Sequence, residues 1–451
     1  VDIRIIPFEG KTIIYRPLLH RAFFGNHAMA EVAQRYAKGH RKRIPAKERD
    51  AFQYLDCIGF LQPDPPPTVS LERPYKPKGA VLLMTNRCNL RCAYCYAAAG
   101  EKPAEDMPLA LALQAVDTVA ANAEEAGMAS FDLTFHGGGE PAQHWNVLEQ
   151  TVRYARRKRL RSHIVLSSNG LWSEKQRGFL LHNLDGLSLS FDGIKQVQNA
   201  QRPTAGGGGS FAGVMKTIHA MDRMNFPYNI RMTWTAGHES QFAESVRFIC
   251  AETECRRIQV EPAYRTGRGG WTNPDPLEAD AFISTFREAL DVAEHYNAEL
   301  MYAGARLWLT VCSFCTAAES ALVVRPDRKL VACYEVTDAR HPLAKFFTIG
   351  RLDATGPVLD ERCMQRLTRM RQERLALCSD CFCVWHCAGD CSSRCFSPDG
   401  AGHLQFEQRC RINRELSKET LARYIAQSGG VWLGAVSHHQ RRSHIARSGS
   451  V

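Results

Sequence analysis

Long apolar runs are missing from this sequence. None approaches the ~20 residues a helix needs to cross a bilayer, which removes a membrane-spanning reading and a membrane partner. A secretory pattern is also missing, since Val1–Ile6 already reads as a strand, and there is no internal repeat. The expectation is a cytoplasmic chain. Acidic residues are outnumbered, 47 against 57 basic ones, leaving a formal charge of +10. Such a balance raises the question of nucleic acid. The basic residues, however, gather in Arg153–Arg161 and Arg441–Arg447, and charge runs of this kind ordinarily make a solvated face. No basic platform interleaved with aromatics accompanies them, so a nucleic-acid partner is disfavoured. With 45% hydrophobic and 23% charged residues over 451 positions, the chain is globular and long enough for several domains.

Cysteine is abundant. There are 17, and seven fall between Cys378 and Cys410. An odd count in an unsignalled chain points to metal rather than to a disulfide framework. The stretch Cys88-Asn89-Leu90-Arg91-Cys92-Ala93-Tyr94-Cys95 follows directly on Ala80–Met84, an apolar run that reads as a buried strand. Such a loop can wrap three sulfurs around one face of an iron–sulfur cube and leave one iron free for a small-molecule chelate. Three buried thiols, or a zinc site one ligand short, are the alternatives. The spacing, with an aromatic residue (Tyr94) just before the last cysteine, resembles the signature loop of the radical S-adenosylmethionine (SAM) enzymes.

Residues 76–305 alternate short strands with helices. The strands are Ala80–Met84, Phe131–Phe135, Ile164–Ser167, Leu187–Phe191, Ile230–Trp234 and Ile258–Glu261. The helices are Leu109–Ala126, Gln143–Arg159, Ser173–His182, Ser210–Met224, Glu239–Cys250 and Leu277–Asn297. The fold class is α/β: a partial (β/α)6 TIM-like radical SAM barrel, with functional residues at the C-terminal ends of the strands. The second strand ends in His136-Gly137-Gly138-Gly139-Glu140-Pro141, whose glycines let backbone approach a ligand. In the family this motif holds the SAM methionine amino group, which the resemblance carries onto Gly138, Gly139 and Glu140. Ser168, after the third strand, and Arg202, in Asn199-Ala200-Gln201-Arg202-Pro203, are candidates for the ribose and the methionine carboxylate. Gly267-Arg268-Gly269 is a candidate for the adenine pocket. The resemblance implies that a reduced cluster cleaves SAM to a 5′-deoxyadenosyl radical able to abstract hydrogen from an unactivated carbon.

From 306 to 415 cysteines dominate. Cys378-x2-Cys381-x5-Cys387-x3-Cys391 followed by Cys410 resembles the SPASM extension, which binds two auxiliary four-iron clusters. The resemblance assigns Cys312, Cys315, Cys333 and Cys391 to the first, and Cys378, Cys381, Cys387 and Cys410 to the second. That makes three [4Fe-4S] clusters with the SAM-binding one. Cys383 and Cys395 lie inside the array and compete as ligands. A zinc ribbon of Cys378, Cys381, Cys387 and Cys391 is the alternative, but strands the other cysteines without a purpose. Cys57, Cys250, Cys255 and Cys363 read as core or surface thiols. Where the family has glycine five residues before the cysteine at 333, this chain has Arg328. Tyr334 and Glu335 follow Cys333 and are the candidate catalytic residues, Glu335 as a base and Tyr334 as a radical or proton relay. Sulfatase-maturating members carry aspartate where Tyr334 stands.

Residues 1–75 read as a hairpin turning at Glu9-Gly10, then helices Ala28–Ala37 and Ala46–Ile58, closed by the proline-rich Pro63–Pro67. This order resembles the winged-helix module that binds leader peptides; a plain cap on the barrel is the alternative. Residues 416–451 are a last helix, Arg414–Ala426 at its core, and a basic tail. The expected function is a maturase of ribosomally made peptides that forms a thioether or carbon–carbon crosslink. Its partners would be a precursor peptide and an external electron donor such as flavodoxin or ferredoxin. Alternatives are a sulfatase-maturase type of enzyme, one acting on a small metabolite, RNA modification, and a non-catalytic electron carrier.

Overall fold

A computed structural model describes residues 1–39, 44–67, 75–263, 267–269, 276–315, 317, 320–394 and 407–434. The chain opens with a meander of β1 (Arg4–Phe8), β2 (Lys11–Arg16) and β3 (Arg21–Gly25). Glu9 and Gly10 between β1 and β2 both take positive φ, 46° and 74°, as a two-residue turn matched to strand twist requires. Two helices follow, His27–Ala37 and Arg49–Cys57; the side chain of Asn26 caps the first by accepting from the Met29 amide at 2.8 Å.

The second sheet holds the barrel strands β4 (Gly79–Leu83), β5 (Ser130–His136), β6 (Arg161–Ser168), β7 (Gly186–Ser190), β8 (Tyr228–Trp234) and β9 (Arg257–Pro262). Each is parallel to the next. Their alternation explains both faces. On β5, Phe131, Leu133 and Phe135 are buried among the helices, while Asp132, Thr134 and His136 point the other way. Among the described residues seven helices fall between or directly after these strands: Leu109–Glu125, Trp145–Arg156, Glu174–Asn183, Lys195–Gln201, Phe211–Arg223, Phe242–Glu252 and Pro276–His295.

The sheet is larger than the six strands expected. β10 (Glu299–Tyr302) extends it in parallel beyond β9, and β11 (Ala321–Val324) pairs in parallel with β4 at the opposite side. Four-residue strands are too short to announce themselves by periodicity. β12 (Lys329–Val331), β13 (Thr348–Asp353) and β14 (Gly356–Leu359) continue from β11 as an antiparallel meander. Arg328, in the turn between β11 and β12, adopts φ 67°, the left-handed conformation that glycine takes without strain. Its side chain is anchored by Leu352 O at 3.1 Å and Gln114 Oε1 at 3.0 Å.

The long helix Glu407–Gln427 then returns to the start of the chain, where β15 (Val431–Trp432) pairs antiparallel with β3. The first sheet is therefore buried on both faces. Ile14 and Phe23 pack with Tyr36, Leu55 and Phe60 beneath the two helices. Ile6, Ile13, Tyr15 and Ala22 share a core with Leu307, Phe382, Leu421, Ile425 and Trp432, so the N-terminal residues are seated on the cysteine-rich segment. Among the described residues no helix is long and apolar enough to cross a membrane.

Candidate active site

The loops after β4 and β5 are interlocked through glycine. The Gly139 amide donates to Thr85 O and the Glu140 amide to Arg87 O, both at 2.8 Å. A Cβ on Gly139 would lie 2.1 Å from the Arg87 carbonyl oxygen, so only glycine permits this approach. Gly138 faces the segment after Cys333, where an added Cβ would meet Thr337 Cβ at 2.8 Å. Tyr96 donates its hydroxyl to Gly137 O at 2.9 Å and ties the cysteine loop to the same run.

Glu140 is 2% exposed and fully engaged by protein groups. Ser168 Oγ donates to Oε1 at 2.7 Å and the Asn169 amide to Oε2 at 2.8 Å; the Ala142 amide and Trp172 Nε1 also reach Oε1. Burial raises the Glu140 carboxyl pKa, and these donors pull it back. Asn169 also donates to Asn89 Oδ1 at 2.8 Å, linking the β6 end to the cysteine loop. Glu140 and Ser168 thus meet, as side chains that hold two strand ends together.

At the end of β7, the buried Asp192 collects Arg202 Nε at 2.8 Å, Arg202 Nη2 at 3.2 Å, the Tyr94 hydroxyl at 2.5 Å and the Thr233 amide at 3.0 Å. The Arg202 guanidinium lies over the Tyr94 ring, 5.1 Å from its centroid. Arg202, read from sequence as a carboxylate partner for the cofactor, bonds an internal carboxylate here. Arg268, in the segment read from sequence as a candidate for the adenine pocket, packs on the cysteine loop. Its amide donates to Cys95 O and its side chain to Cys92 O and Ala99 O, so it clamps the cysteine loop from outside.

Cys88, Cys92 and Cys95 are electrostatic neighbours. Burial pushes Cys88 up to about 12 and raises Cys92, where the charges of Arg202 and Arg268 oppose it only in part, so these two thiols favour their protonated form. Backbone amides already point at sulfur, Leu90 N at Cys88 Sγ (3.4 Å) and Ala99 N at Cys95 Sγ (3.5 Å). Enclosed thiols with amides aimed at them fit an iron–sulfur group, whose irons would supply the missing positive charge.

Eight of the remaining described cysteines belong to two further groups, and Cys57, Cys250, Cys255 and Cys363 stand apart from both. Cys333 has Cys315, Cys391 and Glu335 as electrostatic neighbours, with Cys312 buried a short way upstream. Cys387 has Cys378, Cys381 and Cys410. The sixteen described cysteines form no disulfide, and Cys395 lies outside the described residues. Cys383 is buried against Cys381, whose pKa a hydrogen bond from Cys383 lowers to about 6. Among the described residues no three His, Cys, Asp or Glu side chains converge on one metal ion, whereas a cubane takes its thiolates on separate irons. Glu335 is ion-paired with Arg394 and accepts from Ser393 Oγ at 3.2 Å. Tyr334 stacks on His136 with ring centroids 5.7 Å apart. Sequence reading passes over Tyr96, which has Cys95, Cys333 and Glu335 as electrostatic neighbours. It also passes over Arg231, which neighbours Tyr96 and His136. Its place on β8, between the buried Ile230 and Met232, is the available signal.

A parallel half-barrel carries three thiols after its first strand and a glycine run after its second, and residues 82–249, which hold both, match the radical SAM superfamily. Beyond that match, the chain resembles proteins named as maturases. It is 29% identical over 175 residues to the sporulation killing factor maturation protein SkfB of Bacillus subtilis, covering 38% of this chain and 39% of that one. To the serine-type anaerobic sulfatase-maturating enzyme of Klebsiella aerogenes it is 23% identical, over 67% of this chain and 76% of that one. For most of the curated relatives the match spans about half of their length. Among solved structures, anSMEcpe with bound AdoMet and Cp18Cys peptide superposes with TM-score 0.59 at 16% identity, over 76% of this chain and 97% of that one. Streptococcus suis SuiB bound to S-adenosylmethionine gives 0.53 at 13%, over 90% and 98%. The superfamily uses SAM and a four-iron cluster.

Proposed function

We propose that this chain is a radical SAM/SPASM maturase that acts on a ribosomally made precursor peptide and forms a thioether or carbon–carbon crosslink. The observation that carries the reading is the crowding of thiols about one half-barrel mouth. One group interlocks with the glycine run, and a second reaches the same run through Cys333–Thr337.

Cys88, Cys92 and Cys95 would hold the first cluster; Gly138, Gly139, Glu140, Ser168 and Arg202 would frame SAM. Together these groups supply one-electron chemistry that removes a hydrogen atom from an unactivated C–H bond. The chain's own residues position and enclose. Glu140 fixes the β5 and β6 ends with every donor satisfied, and Asp192 fixes Tyr94 and Arg202 beside the cysteine loop. Cys312, Cys315, Cys333 and Cys391 would hold one auxiliary cluster; Cys378, Cys381, Cys387 and Cys410 would hold the other. Glu335 would take a proton once Arg394 releases it, and Tyr334, stacked on His136, would relay one. The N-terminal sheet, with β1 at its edge, would receive a leader peptide as an added strand. An external reductant such as flavodoxin or ferredoxin would feed the clusters, in the cytoplasm.

Anaerobic co-expression with candidate precursor peptides tests this. A loss of two hydrogens per modification, localised between two residues by fragmentation, is the expected result. Retention of that reaction after joint alanine replacement of Cys88, Cys92 and Cys95 would end the reading. The likeness to the Klebsiella enzyme over two thirds of the chain favours a second reading, oxidation of a protein cysteine or serine to an aldehyde. Hydrazide-reactive product without a crosslink would select it.

A further inference from the structure

Asn413 stands one turn after Cys410 on the helix Glu407–Gln427, so both side chains share a face. Its amide is engaged at both ends. Oδ1 accepts the Tyr302 hydroxyl at 2.7 Å, and Nδ2 lies 3.3 Å from Cys387 Sγ. Asn413, Tyr302 and Cys387 are 1%, 2% and 7% exposed, so no water competes for these groups. The amide also bonds Asp390, whose carboxylate is otherwise held by Arg409 and the Cys391 amide. Room for it is made by Gly304, where a Cβ would sit 2.2 Å from Asn413 Oδ1. Turning the amide over would set its oxygen lone pairs against the sulfur, an arrangement a thiolate rejects. A neutral buried thiol needs no such donor.

We propose that Asn413 is a positioning residue that sets the reduction potential of the cluster at Cys378, Cys381, Cys387 and Cys410, a role that rests on the cluster assignment under Proposed function. An N–H···S bond withdraws charge from the ligand and stabilises the reduced, more negative cluster more than the oxidised one, so it raises the potential. Tyr302, on the last parallel barrel strand, holds the amide in the donating orientation. The cluster farther along the chain thereby becomes the better electron acceptor, its level tied to the barrel wall.

The test is an anaerobic redox titration of the reconstituted full-length enzyme, following the electron paramagnetic resonance signal that Cys410→Ala removes. Asn413→Leu should keep its iron and lower the midpoint by a tenfold change in the oxidised-to-reduced ratio, 59 mV for a one-electron couple. Tyr302→Phe, which leaves the amide in place but unheld, should shift the midpoint the same way by less. An unchanged midpoint in Asn413→Leu overturns the proposal. If that variant loses iron, Tyr302→Phe decides: a downward shift supports the role, and no shift overturns it. If Cys387→Ala and Cys410→Ala both retain wild-type iron, the cluster assignment itself fails and takes the proposal with it.

Discussion

Glu140 shows how one buried side chain can serve a site without touching its reaction. Replacing it by alanine would leave the Asn169 amide and the Ser168 hydroxyl without their acceptor in a dry setting. Unsatisfied buried donors cost roughly 1–3 kcal/mol each, so Glu140→Ala should destabilise the chain by about 2–4 kcal/mol in denaturant titration. Arg328 offers a milder case. Its left-handed backbone carries a steric cost of roughly 1–2 kcal/mol that glycine avoids. Arg328→Gly should therefore be nearly neutral, since lost strain offsets lost anchoring, whereas Arg328→Val should lower the melting temperature. Histidines set a pH limit. Burial lowers His136 and His341 to about 4, below the unfolded value near 6.5. The unfolded chain thus binds more protons between those values. Their stability is fully present above about pH 6.5 and is lost as pH falls toward 4, by about 2 kcal/mol for each partly buried ring. Melting curves between pH 7 and 4.5 should fall, and His136→Phe should flatten the decline.

Single elements are positioned by loops that could not approach with a side chain in the way. Gly139 nests against Arg87 O, and Gly267, at φ 64°, would carry a Cβ 2.2 Å from Tyr96 O. Gly139→Ala and Gly267→Ala should each fold yet bind less iron at the Cys88–Cys95 loop on reconstitution, measured against the unaltered protein; full iron in both would show that the interlock is dispensable. At this scale the sequence was most readable. β5 to β9 stand where the alternation of apolar and polar residues put them, because a strand half-buried on one face must repeat every two residues, and β4 where a continuous apolar run marked a strand buried on both faces. β10, β11 and β12 escaped notice because three or four residues cannot display a period. The glycine run was legible as a close-approach device, but not the carbonyl it approaches.

In the whole molecule, residues 431–432 meet the N-terminal sheet. β15 completes the first sheet, and Trp432 is fully buried among Tyr15, Tyr424 and the cysteine-rich segment. Trp432→Ala should cost about 3–5 kcal/mol, as large aromatic truncations in cores do. It should also expose residues 57–67 to limited proteolysis; unchanged cleavage would mean the N-terminal sheet holds its place without that anchor. By itself, the sequence determined what is local: strand periods, helix spans, the cysteine spacings and the glycine run, all set by neighbours along the chain. Only the tertiary structure decided which groups answer one another across it. Arg202 turns to Asp192 and Asn413 to both Tyr302 and Cys387, because a buried charge or amide takes whichever partner the packing brings within hydrogen-bond reach, and sequence distance has no bearing on that.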